Sequence, residues 1–335
     1  MTGNGGAPVG QRPFRPVPGP SIRWPATFGT RFAVFVDCEE EFDWSAPLDR
    51  AQRATSAMRA FPDAHRQFAD RGVGLTCMVD HPVATDPASV DLLRAVVADG
   101  RSAIGAQLHG WVTPPYDEAV SGITSFAGNL PRSLEAAKIA ALTATIEQAF
   151  GAQPLAFRAG RYGLGPNSWA LLSENGYRLS SSVRARYDYS AEGGPDYRRV
   201  GNAAWRAGDL IELPLTTVFT GAARRGGRRL YEAAGRVPHG RGALARSGLL
   251  RRVALTPEDM PVAEVLEAIE VAIGEGQRLL TFSFHSPSLM PGHTPYVRDA
   301  ADLTAFWHWW TLVLTRLDRL GVAPASLAEV LAAAG

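Results

Sequence analysis

The chain alternates between short apolar runs and longer segments whose apolar residues recur at helical spacing. From Arg31 to Val36 every residue after the first is apolar. The run lacks the alternation of a half-exposed strand, which is typical of a strand buried in a parallel sheet. Asp37, Glu39 and Glu40 follow at once, so carboxylates stand where this strand ends. Similar patterns predict strands at 31–36, 73–79, 102–108, 154–157, 177–183, 210–215 and 278–284.

Segments with helical periodicity separate these strands. Pro62 lies inside the first of them, which predicts a kink or an early break, and Asp86 followed by Pro87 is typical of a helix N-terminus. Alternation of strand and helix predicts an α/β fold with a parallel sheet. About seven strands, with no glycine-rich phosphate turn after the first, favour a barrel over a doubly wound sheet. The predicted helices span 49–71, 86–97, 133–150, 166–175, 257–273, 299–320 and 326–333.

The length allows one large domain or two small ones, and a barrel routinely reaches this size as one domain. The 335 residues are 46% hydrophobic and 20% charged, which is enough apolar sequence for a sizeable core. Residues 1–27 are rich in glycine and proline and are expected to form a disordered tail. Residues 28–335 are expected to form a single barrel domain. Arginines and glycines crowd into 220–252, which predicts an inserted segment there.

Net charge and cysteine content argue against several classes of protein. A formal net charge of +1 argues against a dedicated nucleic-acid-binding protein. Cys38 and Cys77 are too few for a disulfide framework and stand in or beside predicted strands, which indicates buried thiols in a reducing compartment. Residues 1–25 lack the apolar core of a secretory signal, and no run of about 18 apolar residues predicts a membrane span. We therefore expect a cytoplasmic protein, while its oligomeric state stays open.

Polar residues with catalytic chemistry recur where the predicted strands end. In a parallel barrel these ends meet at one rim, where function is found. A carboxylate there can take a proton from water, a histidine can protonate a leaving group, and both can bind a divalent metal. Each residue alone also fits a turn cap, a loop-ordering hydrogen bond or a surface ion pair, so their recurrence carries the argument. The residues are Asp37, Glu39, Asp80, His81, His109, Arg158, Arg161, Tyr162 and His285.

Four of these segments, in this order, resemble the motifs of the polysaccharide deacetylase family, the metal-dependent carbohydrate esterases with NodB homology. Residues 36–39 (Val-Asp-Cys-Glu) resemble the acidic first motif, and residues 104–109 (Ile-Gly-Ala-Gln-Leu-His) resemble the Gly-x-x-x-His motif. Residues 157–162 (Phe-Arg-Ala-Gly-Arg-Tyr) are similar to Arg-x-Pro-Tyr, and residues 280–285 (Leu-Thr-Phe-Ser-Phe-His) are similar to Leu-x-Leu-His. The similarity covers about residues 30–330 and includes a likeness to divergent WalW-type members.

The resemblance implies a distorted (β/α)7 barrel that hydrolyses an N-acetyl or O-acetyl group on a sugar. It implies that Asp37 is the general base, that Arg158 orients this base, and that His285 protonates the departing amine. Glu39 and His109 would bind a divalent metal, with zinc the first expectation. The implied partner is an acetylated carbohydrate. Its binding groove would be lined by Trp44, Trp111, Arg161 and Tyr162.

Departures from the family pattern leave alternatives open. Thr113 stands where a second metal histidine is usual, so Thr113, a water, His81 or another acid completes the site, or no metal binds. The first motif reads Asp-x-Glu, which leaves the choice between Glu39 and Glu40 open, and the third motif lacks its proline. Metal-independent hydrolysis of a small C–N substrate is therefore one alternative function. A catalytically inactive, glycan-binding barrel is another.

The arginine-rich segment at 220–252 supports a hypothesis of a different kind. Its charge suits binding to an acidic polysaccharide or to a membrane surface. The alternative is a solvated insertion whose charges are balanced by acids elsewhere in the chain.

Overall fold

The computed structural model describes residues 12–335, in which helices cover a curled sheet of mostly parallel strands. Its strands are β1 (Arg31–Cys38), β2 (Leu75–Val79), β3 (Ala103–Leu108), β4 (Ala156–Ala159), β5 (Leu179–Ser180), β6 (Trp205–Ala207), β7 (Leu210–Glu212), β8 (Thr217–Thr220), β9 (Arg251–Ala254), β10 (Leu279–His285) and β11 (Ala323–Pro324). The sheet order is β10–β1–β2–β3–β4–β5–β7, all parallel, with β6 antiparallel to β7 at one edge and β11 beside β1. β8 and β9 pair only with each other. This arrangement confirms the predicted α/β barrel, in the form of a half-barrel sheet.

Side chains bridge the gap between the two ends of the curled sheet. The segment that follows β7 approaches β10, where the backbone N–H of Thr281 donates to Oγ1 of Thr216 at 2.9 Å. The hydroxyl groups of the same two threonines lie 3.0 Å apart. The sheet therefore surrounds an interior even though its backbone ladder does not close.

Helices begin and end close to the predicted positions, with two informative exceptions. The first helix begins at Phe61, since Pro62 is favourable in a first turn and unfavourable further inside. The helix predicted from 257 begins at Val262, because Asp259 has a left-handed φ of 64° and Pro261 follows. The helices are α1 (Phe61–Ala69), α2 (His81–Thr85), α3 (Pro87–Val97), α4 (Arg132–Phe150), α5 (Ser168–Glu174), α6 (Gly227–Ala234), α7 (Gly240–Arg246), α8 (Val262–Gly274), α9 (Ala300–Arg319) and α10 (Leu327–Ala334).

The two faces of the sheet belong to two separate apolar clusters. Because side chains alternate along a strand, Val34 and Val36 of β1 pack into the large outer cluster with the helices. Ala33 and Phe35 belong to a smaller inner cluster, and Asp37 follows them on the same face. Apolar residues therefore fill the lower interior and leave the carboxyl ends of the strands to polar side chains. Helix α10 completes the inner cluster with Leu327, Val330 and Leu331.

Part of the segment before β1, for which the sequence predicts a disordered tail up to residue 27, lies along the edge strand β6. The backbone N–H of Ile22 donates to the carbonyl of Ala204 at 2.8 Å, and that of Arg206 donates to the carbonyl of Pro20 at 2.9 Å. These bonds satisfy the outer edge of β6, which an exposed strand would leave unpaired. Residues 1–11 lie outside the described part of the chain.

The predicted insertion at 220–252 is an excursion between β8 and β9. It contains the short helices α6 and α7, and most of its side chains are exposed or half-buried. Cys38 and Cys77 are both free and buried, as predicted. Between residues 12 and 335, no helix combines the length and apolar character that a bilayer crossing requires.

Candidate active site

A cavity of about 620 Å³ opens at the carboxyl ends of the parallel strands. All nine residues that the resemblance marks as site residues line it, although they come from widely separated parts of the chain. Asp80 and His81 do not line it; Asp80 instead caps α2 by accepting from the backbone N–H of Val83 at 2.8 Å. The nine are Asp37, Glu39, Trp44, His109, Trp111, Arg158, Arg161, Tyr162 and His285.

Asp37 is held by a buried ion pair with Arg158. Register places Asp37 at the end of β1 directly beside His285 of β10. Nη1 of Arg158 donates to Oδ1 of Asp37 at 2.6 Å and to the hydroxyl of Ser283 at 2.5 Å, and its Nε donates to the carbonyl of Ser181 at 3.0 Å. Only 1% of Arg158 is exposed. These bonds fix the guanidinium, and through it the orientation of the Asp37 carboxylate.

His285 is oriented by a carboxylate that sequence reasoning missed. Oε2 of Glu258 lies 2.7 Å from Nδ1 of His285, and its Oε1 accepts from the His285 backbone N–H at 3.1 Å and the Ser288 hydroxyl at 2.6 Å. Burial by itself would lower the pKa of His285, but Glu258, Glu39 and Asp37 outweigh it and raise the pKa to about 10. Nε2 of His285 lies 3.7 Å from Oδ2 of Asp37. A cationic imidazole thus lies next to a fixed carboxylate.

Glu39, Gln107 and His109 form a second buried group beside this pair. Nε2 of Gln107 lies 2.9 Å from Oε2 of Glu39 and 3.1 Å from Nε2 of His109. The two potential metal-ligand atoms, Glu39 Oε2 and His109 Nε2, are 3.6 Å apart. Burial raises the pKa of Glu39 to about 7. The expected pair of ligands is therefore brought together, with the Gln107 amide between them.

Glu40 lies behind His109, on the side away from Glu39, so the two glutamates have different roles. Oε2 of Glu40 is 2.8 Å from Nδ1 of His109, and its Oε1 accepts from the indole N–H of Trp111 at 2.9 Å. The backbone N–H of Glu40 donates to Asp80 at 2.8 Å. Burial raises the pKa of Glu40 to about 8 and lowers that of His109. Glu39 thus faces the cavity, while Glu40 orients the imidazole as the outer carboxylate of a metal histidine does.

The donor set around Glu39 fits a divalent cation. Oε1 of Glu39 and Oε1 of Gln107 are both buried without a hydrogen-bond partner. Turning the Gln107 amide by 180° would exchange the positions of its oxygen and nitrogen. Three acceptor atoms would then converge: a carboxylate oxygen of Glu39, the amide oxygen of Gln107 and Nε2 of His109. One donor atom each of Asp37, Glu39 and His285 also lie within 4.8 Å of one another. Gln107 lines the cavity beside these ligands and Thr113 does not, although the backbone N–H of Thr113 donates to the carbonyl of His109 at 3.1 Å.

Aromatic side chains form the upper wall of the cavity, but they are not equivalent. Trp44 is 38% exposed, and its ring centroid is 5.5 Å from those of His285 and Tyr296. Trp111 is only 2% exposed and stacks on His109 at 4.2 Å. Trp44 thus offers a surface to a ligand, whereas Trp111 mainly supports the imidazole.

Comparison with known proteins bears on the fold. No protein-family model and no curated protein sequence matches the chain. Among solved structures, PuuE allantoinase aligns with a TM-score of 0.53 at 15% identity, over 94% of this chain and 93% of that one. A protein described as a probable polysaccharide deacetylase from Pseudomonas aeruginosa PAO1 aligns with a TM-score of 0.51 at 14% identity, over the same shares. Such identities establish the fold alone, and the chain therefore has a (β/α) barrel fold of the polysaccharide deacetylase type.

Proposed function

We propose that the protein is a hydrolase that removes an acetyl group from an N-acetylated sugar, with O-acetyl groups as the related case. One observation carries the proposal: Asp37, fixed by Arg158, lies beside His285, fixed by Glu258, on the cavity wall, with 3.7 Å between Oδ2 of Asp37 and Nε2 of His285. A fixed carboxylate and a protonated imidazole are a base and an acid in position for one reaction. The fold likeness to a probable polysaccharide deacetylase is consistent with it.

The reaction is an amide hydrolysis in which both proton transfers have a named residue. Water attacks the acetyl carbonyl carbon while Asp37 accepts one of its protons. His285, whose raised pKa keeps it protonated at neutral pH, donates a proton to the amine nitrogen as the C–N bond breaks. Acetate and a free amino sugar leave, and the proton on Asp37 returns to solvent or to His285.

Glu39 and His109, with Gln107, are the residues that would hold a divalent metal. When bound, a cation such as zinc would polarise the acetyl carbonyl. Glu40 would keep Nδ1 of His109 protonated and leave Nε2 free for the metal. Elemental analysis should find about one equivalent of metal in wild type and much less in His109→Ala. Equal content in the two proteins would contradict this ligand set.

Acetate release from N-acetylated oligosaccharides tests the activity. We expect Asp37→Asn and His285→Gln each to lower kcat by about two to four orders of magnitude, because each removes a proton-transfer group. Glu174→Gln is the matched control, since this exposed acid pairs with Arg132 outside the cavity. A cooperative thermal unfolding transition in each variant should show that it is folded. Full activity in both site variants would refute the assignment.

Metal-independent hydrolysis of a small C–N substrate is the second candidate. It is favoured by the Gln107 amide group, because its hydrogen-bond contacts with Glu39 at 2.9 Å and His109 at 3.1 Å can hold both side chains in place. The fold likeness to PuuE allantoinase agrees with it. Hydrolysis of small cyclic amides that continues in the presence of a metal chelator would favour this candidate. Saturable glycan binding with no release of any product would indicate an inactive barrel.

The narrower predictions stay predictions: the likeness to WalW-type members, the zinc identity and the cytoplasmic location. For the location, the supporting observation is that Cys38 and Cys77 are both free.

A further inference from the structure

We propose that the substrate is an acidic glycan, and that Arg184 holds one of its carboxylate groups inside the cavity. The proposal rests on the proposed deacetylase function, because it names the class of sugar that this site takes. Arg184 follows β5 on its carboxyl side and lines the cavity together with Arg158 and Arg161. No feature of the sequence distinguished it from the many other arginines of the chain.

Arg184 differs from the other two cavity arginines in forming no ion pair within 4.0 Å among the described residues, although its charge acts on Asp259 from further away. Arg158 pairs with Asp37 at 2.6 Å, and Arg161 pairs with Glu192. Between residues 12 and 335, no carboxylate oxygen lies within 4.0 Å of the Arg184 guanidinium. Its Nε is also buried without a hydrogen-bond partner. A half-buried cation with spare donors is costly unless a ligand supplies the negative charge.

Aromatic rings hold Arg184 in place but do not neutralise it. The guanidinium carbon lies 3.9 Å from the ring centroid of Tyr187 and 6.0 Å from that of Tyr162. Such stacking leaves the N–H groups at the guanidinium edge available. A planar, fixed guanidinium matches the two oxygens of a carboxylate.

The cationic surface continues from the cavity onto the arginine-rich insertion. The guanidinium carbon of Arg252 lies 3.5 Å from the ring centroid of Tyr187 and 4.9 Å from that of Tyr231. Arg241 lies 4.6 Å from the Tyr231 centroid. Three arginines thus alternate with two tyrosines, and in the described part of the chain neither Arg241 nor Arg252 has a carboxylate within 4.0 Å.

This strip, Arg184–Tyr187–Arg252–Tyr231–Arg241, favours a glycan over a membrane. It begins inside the cavity, which a lipid surface cannot enter, and it runs outward as a polymer would. Spaced cations suit spaced carboxylates, and the tyrosine rings between the guanidinium groups hold them in place. The acetylated residue would occupy the cavity while neighbouring acidic residues lie on the strip.

Binding is measured in the Asp37→Asn background, so that no turnover is needed. The probes are oligosaccharides of alternating N-acetylhexosamine and uronic acid, and the same compounds with every carboxylate converted to a methyl ester. We expect the acid to bind about tenfold more tightly than the ester, and Arg184→Gln to remove most of this difference. Arg178→Gln is the matched control, because Arg178 is exposed at the start of β5, at the opposite end from the cavity. It should change either affinity less than about twofold.

Arg184→Lys and Arg252→Gln keep the test decisive if Arg184→Gln unfolds. Lysine should retain part of the preference for the acid, and Arg252→Gln should weaken binding of long oligosaccharides more than of short ones. Equal affinity for acid and ester would overturn the inference, as would binding to phosphatidylserine vesicles without any preference for the acid. Acetate release from the ester, at a rate equal to that from the acid, would refute the acidic substrate and leave the proposed function standing. If the acid binds more tightly than the ester but wild type releases no acetate from either compound, the proposed function is refuted instead.

Discussion

Replacing Glu258 by glutamine is the sharpest test of how the candidate acid is prepared. The substitution keeps the size of the side chain and removes one negative charge 2.7 Å from Nδ1 of His285. The amide oxygen can still accept from Nδ1 of His285, while the amide nitrogen takes the place of the oxygen that accepts from Ser288. A change in the titration of His285 then reports the lost charge and the altered hydrogen bonding rather than a change in side-chain size.

The magnitude follows from the geometry of the pair. Glu258 is buried, and its side chain is 5% exposed against 23% for His285, so solvent screens the contact weakly. A hydrogen bond to a charged group in such a place is worth about 1.5–3 kcal/mol, which corresponds to about one to two pKa units. The pKa of His285, about 10 in wild type, should therefore fall to about 8–9 in Glu258→Gln.

The same charge should appear as a pH dependence of stability. The folded pKa of His285 lies above its value of about 6.5 in an unfolded chain. The stabilisation is therefore fully present below about pH 6.5 and is lost as the pH rises towards 10. The difference in unfolding free energy between wild type and Glu258→Gln should stay at about 1.5–3 kcal/mol up to about pH 8, where His285 of the variant begins to lose its proton, and should shrink between about pH 8 and 10.

Proton NMR titration of the imidazole in metal-free protein measures the shift directly, and urea unfolding at several pH values measures the linkage. The chain has 7 histidines, so the His285→Gln spectrum identifies the signal. Glu174→Gln, which removes a charge of the same sign outside the cavity, should leave the titration unchanged. A His285 pKa that stays within about 0.3 units in Glu258→Gln would refute the pairing as its cause.

Further predictions concern the loop, the core and the ligand set. Lys138→Met should lower the unfolding free energy by about 2–4 kcal/mol in urea, because the ammonium donates at 2.6–2.8 Å to three carbonyls of loop 110–115. Phe282→Ala should cost about 3–5 kcal/mol in the same assay, since this fully buried ring packs on α9; a loss below about 1 kcal/mol would contradict its place in the core. Gln107→His should tighten zinc binding at least about tenfold in a competition titration by supplying a stronger third ligand, and no change would place the metal elsewhere.

Local signals account for the parts of the molecule that were predicted correctly. The buried run of β1 is recognisable because a strand covered on both faces needs no alternation, and Asp37 follows it directly. His109 and His285 likewise stand at the ends of their strands. Since parallel strands bring these ends to one rim, the convergence of the nine site residues followed from their positions in the chain.

Partners that are distant in the chain could not be predicted in the same way. Glu258 is 27 positions before His285, and the sequence predicts a helix there, because Pro257 and Glu258 have the composition of a helix start. Gln107 had a usable signal, since residues two apart on a strand share a face and His109 was already identified. An uncharged amide in an apolar strand nevertheless suggests nothing about chemistry until its neighbours are known.

The sequence by itself therefore determined the α/β barrel, the rim on which the polar residues gather and the residue types that meet there, since these depend on local burial and periodicity. The tertiary structure decided which carboxylate does what: Glu39 faces the cavity, Glu40 supports His109, and Glu258 supports His285. It also decided that Arg184 has no counter-ion within 4.0 Å between residues 12 and 335. Pairing of charges depends on distances of a few ångströms between side chains far apart in the chain, and only packing determines those distances.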